Sequence, residues 1–189
     1  MSRSATSLLL LWVAALPAWA ADRGKPQIDP LHVEFAADRV SVSFGVAEGL
    51  EEEALERIGS GIPVNQQHRV ELIDRRGAWW TTKVHARLLV ETSAVYDSLS
   101  RRYELTRTIW SGPKKKKRPA VEDERLSTDS PDRMREWMTE FDGLPSLEVP
   151  DDAVRERLIL RVESTLGRHF VMYMFPAKIT ATAERRLVQ

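Results

Sequence analysis

Val40, Val42, Phe44 and Val46 occupy every second position of one short run, with Ser41, Ser43 and Gly45 between them. Successive side chains of an extended chain point to opposite faces, so this spacing puts four apolar groups on one side of a strand and leaves the other side polar. The same period of two returns along most of the sequence. Leu31, Val33 and Phe35 show it ahead of a turn at Asp38-Arg39, which predicts a hairpin. Ile62, Val64, Val70 and Leu72 share one phase, and Val84, Ala86, Leu88 and Val90 share another. The stretch SAVYDSLSRRYELTRTIW reads as a further strand region, interrupted near Ser98 to Arg101 and anchored by Tyr96, Leu99, Tyr103 and Leu105. Leu158, Leu160 and Val162 alternate with Arg157, Ile159 and Arg161. After a turn expected at Ser164 to Gly167, the nearly continuous apolar run Phe170 to Phe175 suits a strand covered on both faces.

Two segments switch to helical spacing. Leu50, Ala54 and Ile58 recur every fourth residue behind the acidic turn Glu51 to Glu53, with Gly59 or Gly61 as the stop. Ser130-Pro131 gives an N-cap followed by proline at the first helical position; Met134, Trp137, Met138 and Phe141 then line one face up to Gly143. Strands with one polar face argue against a parallel doubly wound sheet, and no βαβ rhythm is visible. The fold expected is mostly β, an antiparallel β-sandwich-like domain over residues 31–176 with two short peripheral α-helices. Residues 111–129, SGPKKKKRPAVEDERLSTD, read as a charged loop, residues 21–30 as a flexible N-terminal segment and residues 177–189 as a tail.

The first twenty residues read as a signal peptide. Arg3 supplies a positive start, Leu8 to Leu16 an apolar core, and Ala18-Trp19-Ala20 a small–x–small cleavage pattern, so cleavage is expected near Ala20-Ala21. The apolar run falls well short of the roughly 20 residues that span a bilayer, and no span is expected in the mature chain. Export to the periplasm or beyond is the expected fate. The chain has no cysteine, so an exported form must draw its stability from core packing rather than disulfides. Its 28 basic and 28 acidic residues balance, and no nucleic-acid partner is expected.

No catalytic signature of recognised spacing is present: no G-x-S-x-G, no H-E-x-x-H and no phosphate-binding glycine loop. His32, His68, His85 and His169 stand far apart without zinc spacing, so neither a metal site nor a cofactor is predicted. Three surfaces still draw interest. In RRGAWWTT, alternation puts Trp80 in phase with Val84 and Leu88, and Trp79 in phase with Lys83, His85 and Arg87. Unless a bulge intervenes, those four residues form a cation-flanked binding face. Gln66 and His68 sit in an apolar phase, where an unpaired amide or imidazole costs about 1–3 kcal/mol; they mark either the rim of a small pocket or a strand end or bulge open to solvent. Lys114, Lys115, Lys116, Lys117 and Arg118 could meet an anionic envelope component, or stay solvated beside the neutralising run Glu122 to Arg125.

The order of ALERIGSGIPV (Ala54 to Val64), RRGAWW (Arg75 to Trp80) and YDSLSRRYEL (Tyr96 to Leu105), with RLILRVE (Arg157 to Glu163) later, resembles a bacterial family of exported proteins, the domain of unknown function 4390. The resemblance covers most of residues 31–165. It implies an exported domain and supplies no activity and no catalytic residues. The function expected is a non-catalytic periplasmic binding or interaction module of the cell envelope, its partner an unknown envelope protein or anionic envelope component. The alternatives are a hydrolase or isomerase with His68 or His85 as general base, and a membrane-surface protein acting through the lysine run.

Overall fold

The structure is a computed structural model and describes residues 25–36, 38–75, 82–112, 122–151, 153–171 and 175–187. Trp79, Trp80 and the run Lys114 to Arg118 lie outside the described residues. Strands β1 (Gln27–Ala36) and β2 (Arg39–Ala47) form the expected hairpin, with β1 starting inside the segment read as flexible. Helix α1 (Glu52–Gly59) follows, then β3 (Val64–Arg75), β4 (Thr82–Asp97), β5 (Arg102–Ser111) and β6 (Glu122–Thr128). Helix α2 (Pro131–Thr139) leads into two short strands, β7 (Glu140–Phe141) and β8 (Leu147–Glu148). The long pair β9 (Leu158–Val171) and β10 (Phe175–Arg186) closes the sequence of elements.

These strands make two antiparallel sheets. In one, β2 is central, with β1 on one edge and β7 and β8 on the other; the second runs β10-β9-β3-β4-β5-β6. Val40, Val42, Phe44 and Val46 of the small sheet share a buried cluster with Val70, Leu72, Leu88, Val90, Leu158, Leu160 and Val162 of the large one. The period of two therefore does what it predicts: each sheet contributes its apolar phase to a sandwich core, about 1.5–3 kcal/mol for each fully buried aliphatic side chain. The helices cover the rest of the same face of the large sheet, where Ile58, Met134 and Met138 pack on Val64, Ala94 and Leu105.

Helix α1 ends in a left-handed residue, Gly61 at φ 76°, with Ile62 N–H reaching back to the Arg57 carbonyl at 2.9 Å. Ser130 caps α2 through the Arg133 N–H, with Pro131 behind it, as the sequence suggests. The helix stops at Thr139 rather than Gly143, because Glu140 and Phe141 pair with Gly45 and Phe44 of β2.

Five expectations need correction. Residues 122–128, read as part of a charged loop, are strand β6, paired along β5 from Glu122↔Ile109 to Thr128↔Tyr103. The supposed turn at Ser164 to Gly167 is continuous strand β9, and much of the supposed tail is β10. Leu99, read as an anchor, is 95 % exposed at the β4–β5 turn, whereas Leu105 is buried. Gln66 and His68 do not reach solvent at a strand end; they are 2 % and 0 % exposed. Charge misled the first of these readings, since an edge strand needs only its partner-facing backbone and can carry acids that discourage further strand addition.

Candidate functional site

A band of polar side chains crosses the interior face of the large sheet. It lies between the sandwich core and the cluster under the helices. Ser164 on β9 is directly opposite His68 on β3; one pair further along, Gln66 on β3 faces Thr92 on β4, which faces Arg107 on β5. All five are buried, at 8 % exposure or less.

His68 Nδ1 lies 2.8 Å from Ser164 Oγ, and its ring is 4.2 Å from Phe141, which stacks on Phe44 at 4.7 Å. Burial, with help from the Arg107 charge, lowers its pKa to about 3, so the ring is neutral at pH 7. Arg107 spans the gap between sheet and helix. One of its Nη groups donates to the carbonyls of Trp137 (2.6 Å) and Glu140 (2.9 Å), at the C-terminus of α2 where carbonyls lack helical partners. Its guanidinium lies 4.5 Å from the Trp137 ring centre and 4.9 Å from that of Phe141, with Glu124 at 3.8 Å. Burial pulls its pKa below the usual guanidinium value, while Glu124, Glu122 and Asp142 pull the other way.

Gln66 is held by Gly49. Its Nε2 donates to the Gly49 carbonyl at 2.7 Å, which fixes the amide and turns Oε1 the other way. Position 49 must be glycine, because a Cβ there would sit 2.8 Å from the Val46 carbonyl oxygen. Gln66 Oε1, Thr92 Oγ1, His68 Nε2 and Arg107 Nε have no hydrogen-bond partner among the described residues.

Gln66 and Thr92 also line a cleft of about 900 Å3. Its origin is topological. Pairing between β3 and β9 runs only as far as Gln67↔Thr165, while β9 and β10 stay paired beyond that point to Val171↔Phe175. The β9–β10 arm thus separates from the start of β3. Leu166, Gly167 and Ile179 form one side of the opening, with Glu51, Ala54 and Arg57 around α1 on the other. A volume of this size matches a small-molecule or side-chain site.

The surface expected around Trp79 is not assembled as alternation predicts. Leu72 pairs with Ala86 but Ile73 pairs with Val84, so His85 is an extra residue on β4. This bulge reverses the phase of Thr82 to Val84. Val84 is 40 % exposed, Lys83 stands across from Asp74, and the His85 side chain is 1 % exposed with Nε2 3.8 Å from Asp74 Oδ2. Arg87 lies on the outer face, bonded to Glu71 through Nε at 2.7 Å and Nη2 at 2.6 Å. Lys83, His85 and Arg87 therefore share no common face. The band itself was half legible. The rule that singles out Gln66 and His68, a polar residue in an apolar phase, also marks Thr92, Ser164 and Arg107, the last lying between Leu105 and Ile109.

Among the described residues, no group of three or more His, Asp or Glu side chains could hold a metal ion, and no helix is long and apolar enough to cross a membrane. The family model described as domain of unknown function (DUF4390) matches residues 24–169, from ahead of β1 to near the end of β9. The chain belongs to this family. In this DUF4390 protein the matched region contains both helices, the small sheet, strands β3 to β6 and most of β9, and therefore the whole polar band. No curated protein and no solved structure matches the chain significantly.

Proposed function

We propose that this DUF4390 protein is an exported, non-catalytic binding module of the bacterial cell envelope, and that it holds its ligand in the cleft beside the start of β3. One observation carries the reading: Gln66 Oε1 and Thr92 Oγ1 are buried, have no partner among the described residues, and belong to residues lining a cleft. An unanswered buried polar atom costs about 1–3 kcal/mol, which a ligand's hydrogen bond can offset. Export rests on Arg3, the run Leu8 to Leu16 and Ala18-Trp19-Ala20.

The cleft takes the place of the surface around Lys83, His85 and Arg87, which the bulge divides. The hydrolase or isomerase alternative draws no support from the histidines. His68 lies under two phenylalanine rings and His85 faces Asp74 from a buried position, so neither reaches a substrate at the surface. Two measurements test the proposal. Mass analysis of protein recovered from the envelope fraction should give Ala21 as the first residue; an intact N-terminus on protein kept in the cytosol overturns export. Low-molecular-weight envelope extract should shift the backbone amide resonances of Asn65, Gln66 and Ser93, and shifts confined to other regions would move the site elsewhere.

A further inference from the structure

The cleft's chemistry narrows what it can hold, and this inference rests on the cleft being the binding site. Its charged lining is four carboxylates, Glu51, Glu53, Glu91 and Glu163, against two guanidiniums, Arg57 and Arg69. Arg69 is bound to Glu163 at 3.2 Å, and Glu91 accepts from Gln67 Nε2 at 2.8 Å. Glu51 and Glu53 remain at the start of α1, where Glu51 makes no side-chain cap bond, against the single guanidinium of Arg57 one turn on. They already answer the positive end of the helix dipole, so that helix end is not left for an anion. Gln66 adds a second, independent signal. With Nε2 committed to Gly49, its free atom is an acceptor only, and Thr92 Oγ1 across the strand can accept as well. Ala54, Leu166 and Ile179 supply apolar wall between these acceptors and the acids.

We propose that the cleft binds an organic ammonium on a methylene stem: its N–H groups go to Gln66 Oε1 and Thr92 Oγ1, its charge faces Glu51 and Glu53, and its stem lies along Ala54, Leu166 and Ile179. A free polyamine and a lysine side chain of a peptide both have this chemistry. The alignment of donor with acceptor decides against phosphate, which would meet acceptors and acids together.

Spermidine, a short neutral-capped lysine peptide, 1,6-hexanediol and inorganic phosphate are titrated into the purified protein while amide resonances are followed. Spermidine or the lysine peptide should shift Gly49, Glu51, Gln66 and Ser93, and which of the two binds more tightly identifies the source. Gln66→Met keeps the side chain's length and removes the acceptor; it should weaken binding at least about tenfold with the melting temperature little changed. Glu51→Gln with Glu53→Gln should weaken it a few-fold at low salt and flatten its salt dependence. If hexanediol or phosphate shifts these amides and neither amine does, the ligand class is wrong while the cleft stands as a site. If no probe shifts them, the ammonium assignment falls; envelope extract then separates the two ideas, since shifts with extract keep the cleft and silence with extract removes it.

Discussion

On the outer face of the large sheet Arg69 meets Glu163, Arg87 meets Glu71 and Arg161 meets Glu184, each pair lying opposite across two neighbouring strands. On the inner face Gln66, His68, Thr92 and Arg107 each keep an atom that no group among the described residues answers. The outer charges, buried Glu71 included, are matched in pairs, although Arg69 Nε lacks a bond among the described residues; the inner atoms are buried and unmatched. Exposed pairs contribute little stability, but a slip of one residue would set side chains against the wrong neighbours, so the outer pattern chiefly fixes register. The inner pattern costs stability. Groups kept at a cost are candidates for something other than holding the fold together.

The contrast can be broken most severely at Arg107. Removing its guanidinium strips the Trp137 carbonyl of α2 and the Glu140 carbonyl of β7 of their donor and two rings of their cation, so Arg107→Ala should lose about 3–5 kcal/mol in urea unfolding. A loss below about 1 kcal/mol would mean that α2 is held without it. His68 tests the same face by pH. Its folded pKa of about 3 lies below the unfolded 6.5, so only the unfolded chain takes up the proton in between. Stability should therefore fall as pH drops from 6.5 toward 3, by about 1.4 kcal/mol per pH unit from this group at its steepest. Unfolding midpoints against pH should show that fall, and His68→Gln should flatten it; an unchanged slope would place the acid sensitivity elsewhere. The smallest effect belongs to the outer face. Arg161→Ala should cost less than about 1 kcal/mol, since its bond to Glu184 is partly solvated. A cost comparable to that of Arg107→Ala would erase the distinction between the faces.

Alternation was enough to read β2, β3, most of β4 and β5, and the first half of β9, because in each the buried phase is apolar over several repeats. It failed where the local pattern carries no burial signal. Glu122 to Arg125 look like loop because all four are charged, yet their backbone completes the ladder of β5. Ser164 looks like a turn residue; across from it, His68 supplies the hydrogen bond that lets a serine sit in a sealed core. The bulge at His85 leaves no local mark, since its cause is a register set by two strands together. At the site, Gln66 and His68 were visible as polar residues in an apolar phase. The cleft was not, because it depends on where β9 parts from β3, strands about ninety positions apart in the chain.

That separation bears on how the protein is made. Strand β3 receives one neighbour, β4, almost at once, but its other flank stays bare until Leu158 to Thr165 have been synthesised. Until then an extended strand rich in buried aliphatic residues offers unpaired amides and carbonyls to any similar strand nearby, and closing so long a loop is slow. A chain cut short before β9 would keep most of its elements yet present an adhesive edge, so strands β9 and β10 guard the nascent molecule against sticking to its own copies.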